Sequence, residues 1–295
     1  CSSNQQHNNL DNQSNYIYDN YDNQPSFVAE SYVDSSDKIT LLYSSSVIGK
    51  YSMEAANTAI AYLITNNKSF ELNIIDMKDE SLQSYNEALE QLDDSGIDNV
   101  VAVITNSSYE NLILADDVSD FNIFLPLIHK NNVSKVLENI IYGGVDYKRQ
   151  LETLTNYSPI QNIELYDNSL FGQTLHDVLL DVNPSILLAK EVNDVSGKYA
   201  SYLNENLKTM SDFGIYLNTP VVKSSILLSQ FTANDINVSR ILSTQINYTP
   251  LILSLTQTND RKNLLIANSI SKVPIQLKEN IYNLGANITY DWLTY

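Results

Sequence analysis

The sequence predicts an α/β protein built of two Rossmann-like lobes with parallel sheets, preceded by a disordered tether. Three observations predict it. From Lys38 onward short apolar runs alternate with amphipathic stretches, the pattern of βα units around a parallel sheet. This series breaks at Gly143-Gly144 and restarts as a second of similar make-up, each with about four strands. Residues 1–37, finally, are Asn, Gln, Ser, Asp and Tyr with few aliphatics, too little apolar surface to offset the entropy of ordering them.

The elements follow in chain order. Ile39-Thr40-Leu41-Leu42-Tyr43 reads as a buried strand, and Lys50 to Thr65 as a helix with Ala56, Ala59, Ile60 and Leu63 on one face. Glu71 to Met77 is the next strand and Ser84 to Leu92 a helix that Gly96 ends. Val100-Val101-Ala102-Val103-Ile104 is uninterrupted, as in a strand covered on both faces, and Phe121 to Leu127 is a fourth. The second series runs helix Tyr147–Tyr157, strand Asn162–Tyr166, helix Phe171–Val182, strand Ser185–Val192, helix Asn204–Met210, strand Phe213–Leu217, helix Val221–Thr232 and strand Val238–Ser243. Pro250 then punctuates the chain, and Leu251–Tyr295 is too short for a domain of its own. The expected division is therefore a tether over 1–37, a first lobe over 38–138 plus 251–295, and a second over 139–250.

Charge excludes one class of partner. Thirty-five acidic against 17 basic side chains give a net charge of −18, and no basic stripe is present to track phosphates, so nucleic acid is not expected. Membranes are met differently. No run of 18 uncharged apolar residues occurs, so any association is expected through a lipid. The chain's one cysteine is Cys1, followed by Ser2-Ser3-Asn4, which resembles a bacterial lipoprotein cleaved at its lipobox and implies lipidation of Cys1. Ser2 resembles the outer-membrane sorting class and implies the periplasmic face of that membrane.

Larger stretches resemble the type 1 periplasmic binding proteins and, among them, the outer-membrane lipoprotein activators of penicillin-binding proteins. Leu41 to Tyr51 with Ala55, Ala56 and Ala59 looks like that family's opening strand, loop and first helix. Gly96 to Ile104 looks like its third strand, and Ile141-Tyr142-Gly143-Gly144 like its first crossover. Glu164 to Gly172 is similar to the turn that opens the second lobe. The resemblance spans about residues 38–290.

In such a fold strand C-termini and helix N-termini face the gap between lobes, where hydroxyls and free N–H groups can hold a ligand carboxylate. The candidates are Ser44, Ser45 and Ser46 after the first strand, Asn106, Ser107 and Ser108 after the third, and Asp167, Asn168 and Phe171 in the second lobe. The competing reading is helix capping, which uses the same residue types. The family's amino-acid pocket is not recognisable, because no glycine occurs over 105–108 and the later strand ends are Asn218-Thr219-Pro220 and Thr244-Gln245.

No G-x-S-x-G, P-loop, H-E-x-x-H or G-x-G-x-x-G occurs, so neither an enzyme nor a cofactor nor a metal is expected. Of the histidines, His7 falls in the tether, His129 reads as a solvated loop residue, with a place lining the cleft as the alternative, and His176 as a surface residue of a helix. Twenty tyrosines fit either an interface or an AT-rich genome, and Trp292 reads as a packed chain end. Asp235-Ile236-Asn237-Val238-Ser239 matches a bacterial N-glycosylation sequon at Asn237. The expectation is a non-catalytic envelope lipoprotein that binds a protein partner, an accessory or activator of peptidoglycan synthesis. The alternative is a receptor holding an amino acid or peptide in the interlobe cleft and feeding a transporter.

Overall fold

The computed structural model describes residues 37–49, 51–66, 68–193, 212–286 and 295. Cys1, His7, Trp292 and the helix expected at Asn204–Met210 lie outside them.

The first lobe comprises β1 (Asp37–Ser44), α1 (Ser45–Ile48), α2 (Tyr51–Thr65), β2 (Phe70–Met77), α3 (Leu82–Ser95), β3 (Asn99–Val103), α4 (Tyr109–Ile113), β4 (Asn122–Leu125) and β5 (Ile140–Tyr142). Its strands pair in parallel in the order β2-β1-β3-β4-β5. Period-two alternation sends Leu42, Ala102, Ile123 and Leu125 to one face, against Tyr85, Leu89 and Leu92 of α3. Leu41 and Val103 go to the other, against Ala55 and Ala56 of α2. Burying each leucine fully stabilises by about 1.5–3 kcal/mol. The Ser81 hydroxyl caps α3 by accepting from Ser84 N–H at 3.3 Å, and Gly96 closes it at φ +61°, in the left-handed region.

The second lobe comprises α5 (Tyr147–Thr155), β6 (Gln161–Asp167), α6 (Leu170–Val182), β7 (Ile186–Val192), β8 (Phe213–Asn218), α7 (Val221–Ala233), β9 (Arg240–Ser243), α8 (Leu251–Leu255) and β10 (Leu264–Ile266). Its sheet is β10-β9-β8-β6-β7, again all parallel. Counted from its own first strand this repeats the winding of the first lobe. Helix α9 (Ile275–Asn283) then returns to α2, where Ile281 and Ala61 have no exposed surface. Asn280 Nδ2 donates to Thr65 Oγ1 at 2.8 Å, and Asn57 Nδ2 to Leu284 O at 3.0 Å.

The boundaries expected from sequence move accordingly. Each sheet has five strands rather than four, because β5 and β10 are three residues long and carry no alternation to read. The first crossing follows Tyr142, not residue 138, and the return follows Ile266, not residue 250, since β10 belongs to the second sheet. The returning segment is fastened to the second lobe before it leaves. Gln150 Nε2 donates to Gln245 Oε1 (3.1 Å) and Ser269 Oγ (2.8 Å), and Ser269 N–H donates to Gln245 Oε1 at 3.0 Å.

Candidate functional site

All strands of each sheet run parallel, so their carboxyl ends gather on one edge. The loops after β1, β3 and β6 carry the candidate residues, and each is closed by the chain itself.

At the end of β1, Ser44 is buried, and its Oγ lies 2.8 Å from Ser46 Oγ. Ser46 Oγ donates to Lys78 O at 3.1 Å. Ser45 N–H, the donor a bound anion would use, donates to Asp76 Oδ1 at 2.8 Å. The pairing of β1 with β2 sets Tyr43 opposite Asp76 and so delivers this carboxylate.

After β3 the loop donors are Thr105 N–H and Oγ1–H. Both go to one carboxylate, Glu80, at 3.0 Å to Oε1 and 2.5 Å to Oε2. Ser107 Oγ lies 3.0 Å from Thr105 Oγ1, and Asn106 is exposed. Ser108 turns inward, accepting from Tyr85 O–H at 2.9 Å and donating to Thr105 O at 3.0 Å, so its role is to tie the loop to α3. Burial pushes the Tyr85 hydroxyl well above its ordinary range.

After β6, Asp167 is buried and pairs through Oδ1 with Lys223 Nζ, while Oδ2 accepts Ser169 N–H at 3.0 Å. Lys223 Nζ also donates to Asn168 Oδ1 and Val192 O, each at 3.1 Å. The three ammonium hydrogens therefore have three acceptors. Burial raises the Asp167 carboxyl, but Lys223 and Ser169 outweigh it and hold it below the usual carboxylate range. Gly172 lies against this turn so closely that a Cβ would fall 2.3 Å from Asp167 O. Phe171 and Tyr147 meet edge to face, ring centroids 5.1 Å apart at 72°.

Apolar side chains are displayed beside these closed loops. Leu170 is 81% exposed, and Phe171, Val222, Val47 and Leu127 are also exposed, each within a few residues of a strand's carboxyl end.

Sequence reasoning missed Asp76, Glu80 and Lys223. Only the register of β1 on β2 would have pointed to Asp76, and no local signal marks the other two. Two histidine expectations are corrected. His176 is not a surface residue, since its side chain is 19% exposed and Nδ1 lies 2.5 Å from Oε2 of the fully buried Glu164. His129 is not freely solvated, because Nδ1 accepts from Asn131 N–H at 3.3 Å and Nε2 lies 3.7 Å from Asp146. Among the described residues no group of His, Cys, Asp and Glu is placed to hold a metal ion, and no helix is long and apolar enough to cross a membrane.

A cavity of about 570 Å3 lies elsewhere, under α2. Sheet residues Leu41, Val101 and Phe124 form its floor, and Ala55 and Ala59 of α2 with Leu277 of α9 its walls. At about 24 cal/mol per Å3 a sealed void of that size would cost on the order of 10 kcal/mol, comparable to the stability of a whole domain. It is accordingly open to solvent, beside Ser271 and Lys272.

No protein-family model matches the chain, and no curated protein sequence does. Solved structures are similar to it. Full-length LpoA of Haemophilus influenzae superposes with a TM-score of 0.61 at 12% identity over 86% of this chain and 47% of that one, so the chain spans about half of full-length LpoA. The C-domain of the same protein, described as a regulator of PBP1A, gives a TM-score of 0.61 at 13% identity over 87% of this chain and 82% of the domain. A putative branched-chain amino acid ABC transporter protein of Rhodospirillum rubrum gives 0.68 at 10% identity, covering 85% and 78%. With two five-stranded parallel sheets of one winding order, these likenesses fix the architecture: the chain has the type 1 periplasmic-binding-protein fold, shared with the LpoA C-domain and with branched-chain amino acid binding proteins.

Proposed function

We propose that this chain is a non-catalytic component of the bacterial cell envelope that acts by binding a protein partner, as an accessory or activator of peptidoglycan synthesis. The observation that carries the reading is the closure of the strand-end loops from within. An amino-acid ligand needs donors for its carboxylate and an acid for its ammonium. Here Asp76 and Glu80 occupy the donors, and Lys223 occupies the acid Asp167. A free solute would have to displace charge-assisted bonds that are already made. The exposed Leu170, Phe171 and Val222 at the same edge suit a protein surface, for which apolar anchors supply most of the energy. The similarity to the LpoA C-domain, a regulator of PBP1A, supports the choice of partner class.

The solute-receptor reading is supported by the transporter-type neighbours, one of which was solved with isoleucine. It requires Glu80 and Lys223 to let go of their partners. Thermal unfolding against a panel of amino acids and peptides separates the two, because a ligand at 100 times its Kd adds about 2.7 kcal/mol. No shift is expected. In parallel, the chain should bind a bifunctional peptidoglycan synthase and raise its polymerisation rate, and Leu170→Asp with Val222→Asp should weaken that binding at least about tenfold. A clear upward shift with any amino acid would overturn the proposal. The anchoring that belongs to this reading, a lipid on Cys1, is tested by mass spectrometry of the protein extracted from its own membranes.

A further inference from the structure

Parallel sheets are normally covered on both faces. In the first lobe the cross-strand row Leu41–Val101–Phe124–Ile141 starts fully covered by α2 but reaches 38% exposure at Phe124 and 67% at Ile141. The sheet is thus left apolar and partly bare beside the cavity under α2. The space there comes from the helix sequence, which places Ala55, Thr58 and Ala59 on the face that larger side chains would fill. Among the described residues one charged side chain lines the cavity, that of Lys272, and it is exposed to solvent. It makes no ion pair among the described residues, in a chain of net charge −18. Beside it the hydroxyls of Ser271 and Tyr295 lie 2.6 Å apart.

We propose that this cavity binds a free single-chain amphiphile with an anionic head, the alkyl tail lying on the Val101–Phe124 row beneath α2 and the head meeting Lys272 at the mouth. An apolar floor selects the tail, and the Lys272 ammonium selects the sign of the head. The volume falls within the range of about 300–1,000 Å3 typical of small-molecule pockets. A folded macromolecule would not enter beneath a helix that is still docked on the sheet.

The test is calorimetric titration of the whole chain with dodecanoate below its micellar concentration. One-to-one binding with a negative heat-capacity change is expected. Dodecyltrimethylammonium, the same tail with a cationic head, should bind about tenfold more weakly, and Lys272→Glu should reverse that preference. Ala59→Trp should fill the cavity and abolish binding. Should that variant not fold, a diazirine-bearing dodecanoate decides, since it should label peptides containing Thr58–Tyr62 or Leu277. Failure of dodecanoate to bind, equal binding of both head groups, or labelling confined to other peptides would overturn the proposal. Phosphatidylglycerol vesicles should not bind through Lys272. If they do, and Lys272→Glu abolishes it, the surface is a bilayer contact and the free-ligand site is refuted.

Discussion

The Nδ1 atom of His176 lies 2.5 Å from Oε2 of Glu164, a carboxylate with no exposed surface in the middle of β6. Glu164 Oε1 accepts from Asn218 Nδ2 at 2.8 Å, and the Tyr166 ring stacks on His176 with centroids 4.2 Å apart. Burial raises the Glu164 carboxyl and Asp177 adds to it, while His176 and Asn218 pull it back only in part. The folded chain thus holds a proton on Glu164 more readily than the unfolded chain, whose carboxyl titrates near the ordinary 4.5. That contribution to stability is complete below this pH and is lost as pH rises through the folded value. Between pH 4 and pH 8 the Tm of the native chain should fall relative to Glu164→Gln, in which the dependence disappears. Parallel curves for the two proteins would refute this.

Lys223 and Asp167 form the partly buried pair at the mouth of the second lobe. Lys223→Met leaves Asp167 with the hydrogen bonds from Ser169 and no countercharge, and should cost about 1.5–3 kcal/mol in urea unfolding. The double variant Asp167→Asn/Lys223→Met should recover part of it. The depressed Asp167 carboxyl contributes stability above the usual carboxylate range that is lost as pH falls through its lowered value. The acid-unfolding midpoint should therefore move to higher pH in Lys223→Met.

Ser108 and Leu170 separate a structural role from a docking role. Ser108→Ala removes the partner of a buried tyrosine hydroxyl and should cost about 1 kcal/mol without altering partner binding. Leu170→Asp changes an exposed side chain and should leave stability within about 0.5 kcal/mol while weakening the partner. Chemical denaturation beside a binding titration checks both.

Two backbone and core contacts carry larger penalties. Gly172→Ala would drive a methyl to 2.3 Å from Asp167 O and should cost about 1–3 kcal/mol. Ile281→Ala empties the seam between α9 and α2 and should cost about 2–4 kcal/mol. Equilibrium unfolding gives both values directly.

Long, strongly patterned elements were legible from sequence. Val100–Ile104 is an unbroken apolar run and Asn162–Tyr166 an alternating one, both fall on strands, β3 and β6, and α2 and α6 are found within a residue or two of their expected spans. What escaped depends on partners distant in the chain. β10 is a strand because β9 lies beside it, with Leu265 opposite Leu242, and three residues carry no period of their own. The closure of the loops by Asp76, Glu80 and Lys223 escaped for the same reason, as did the burial of His176. Its helix looks amphipathic, with a histidine on the polar side, until Glu164 is placed beneath it.

The docking of α9 on α2 joins residues 215 and 227 positions apart in the chain, through Thr65 with Asn280 and Asn57 with Leu284. The order of synthesis is thereby opposed to the order of completion. The elements of the second lobe, α5 to β10, form one unbroken stretch and can assemble as soon as they emerge. The first lobe is made earlier but waits for α9, with the Ala61 side of α2 uncovered for most of translation. Folding should therefore finish at the lobe that was begun first, and a chain stalled before Ile275 should present that face to chaperones and proteases.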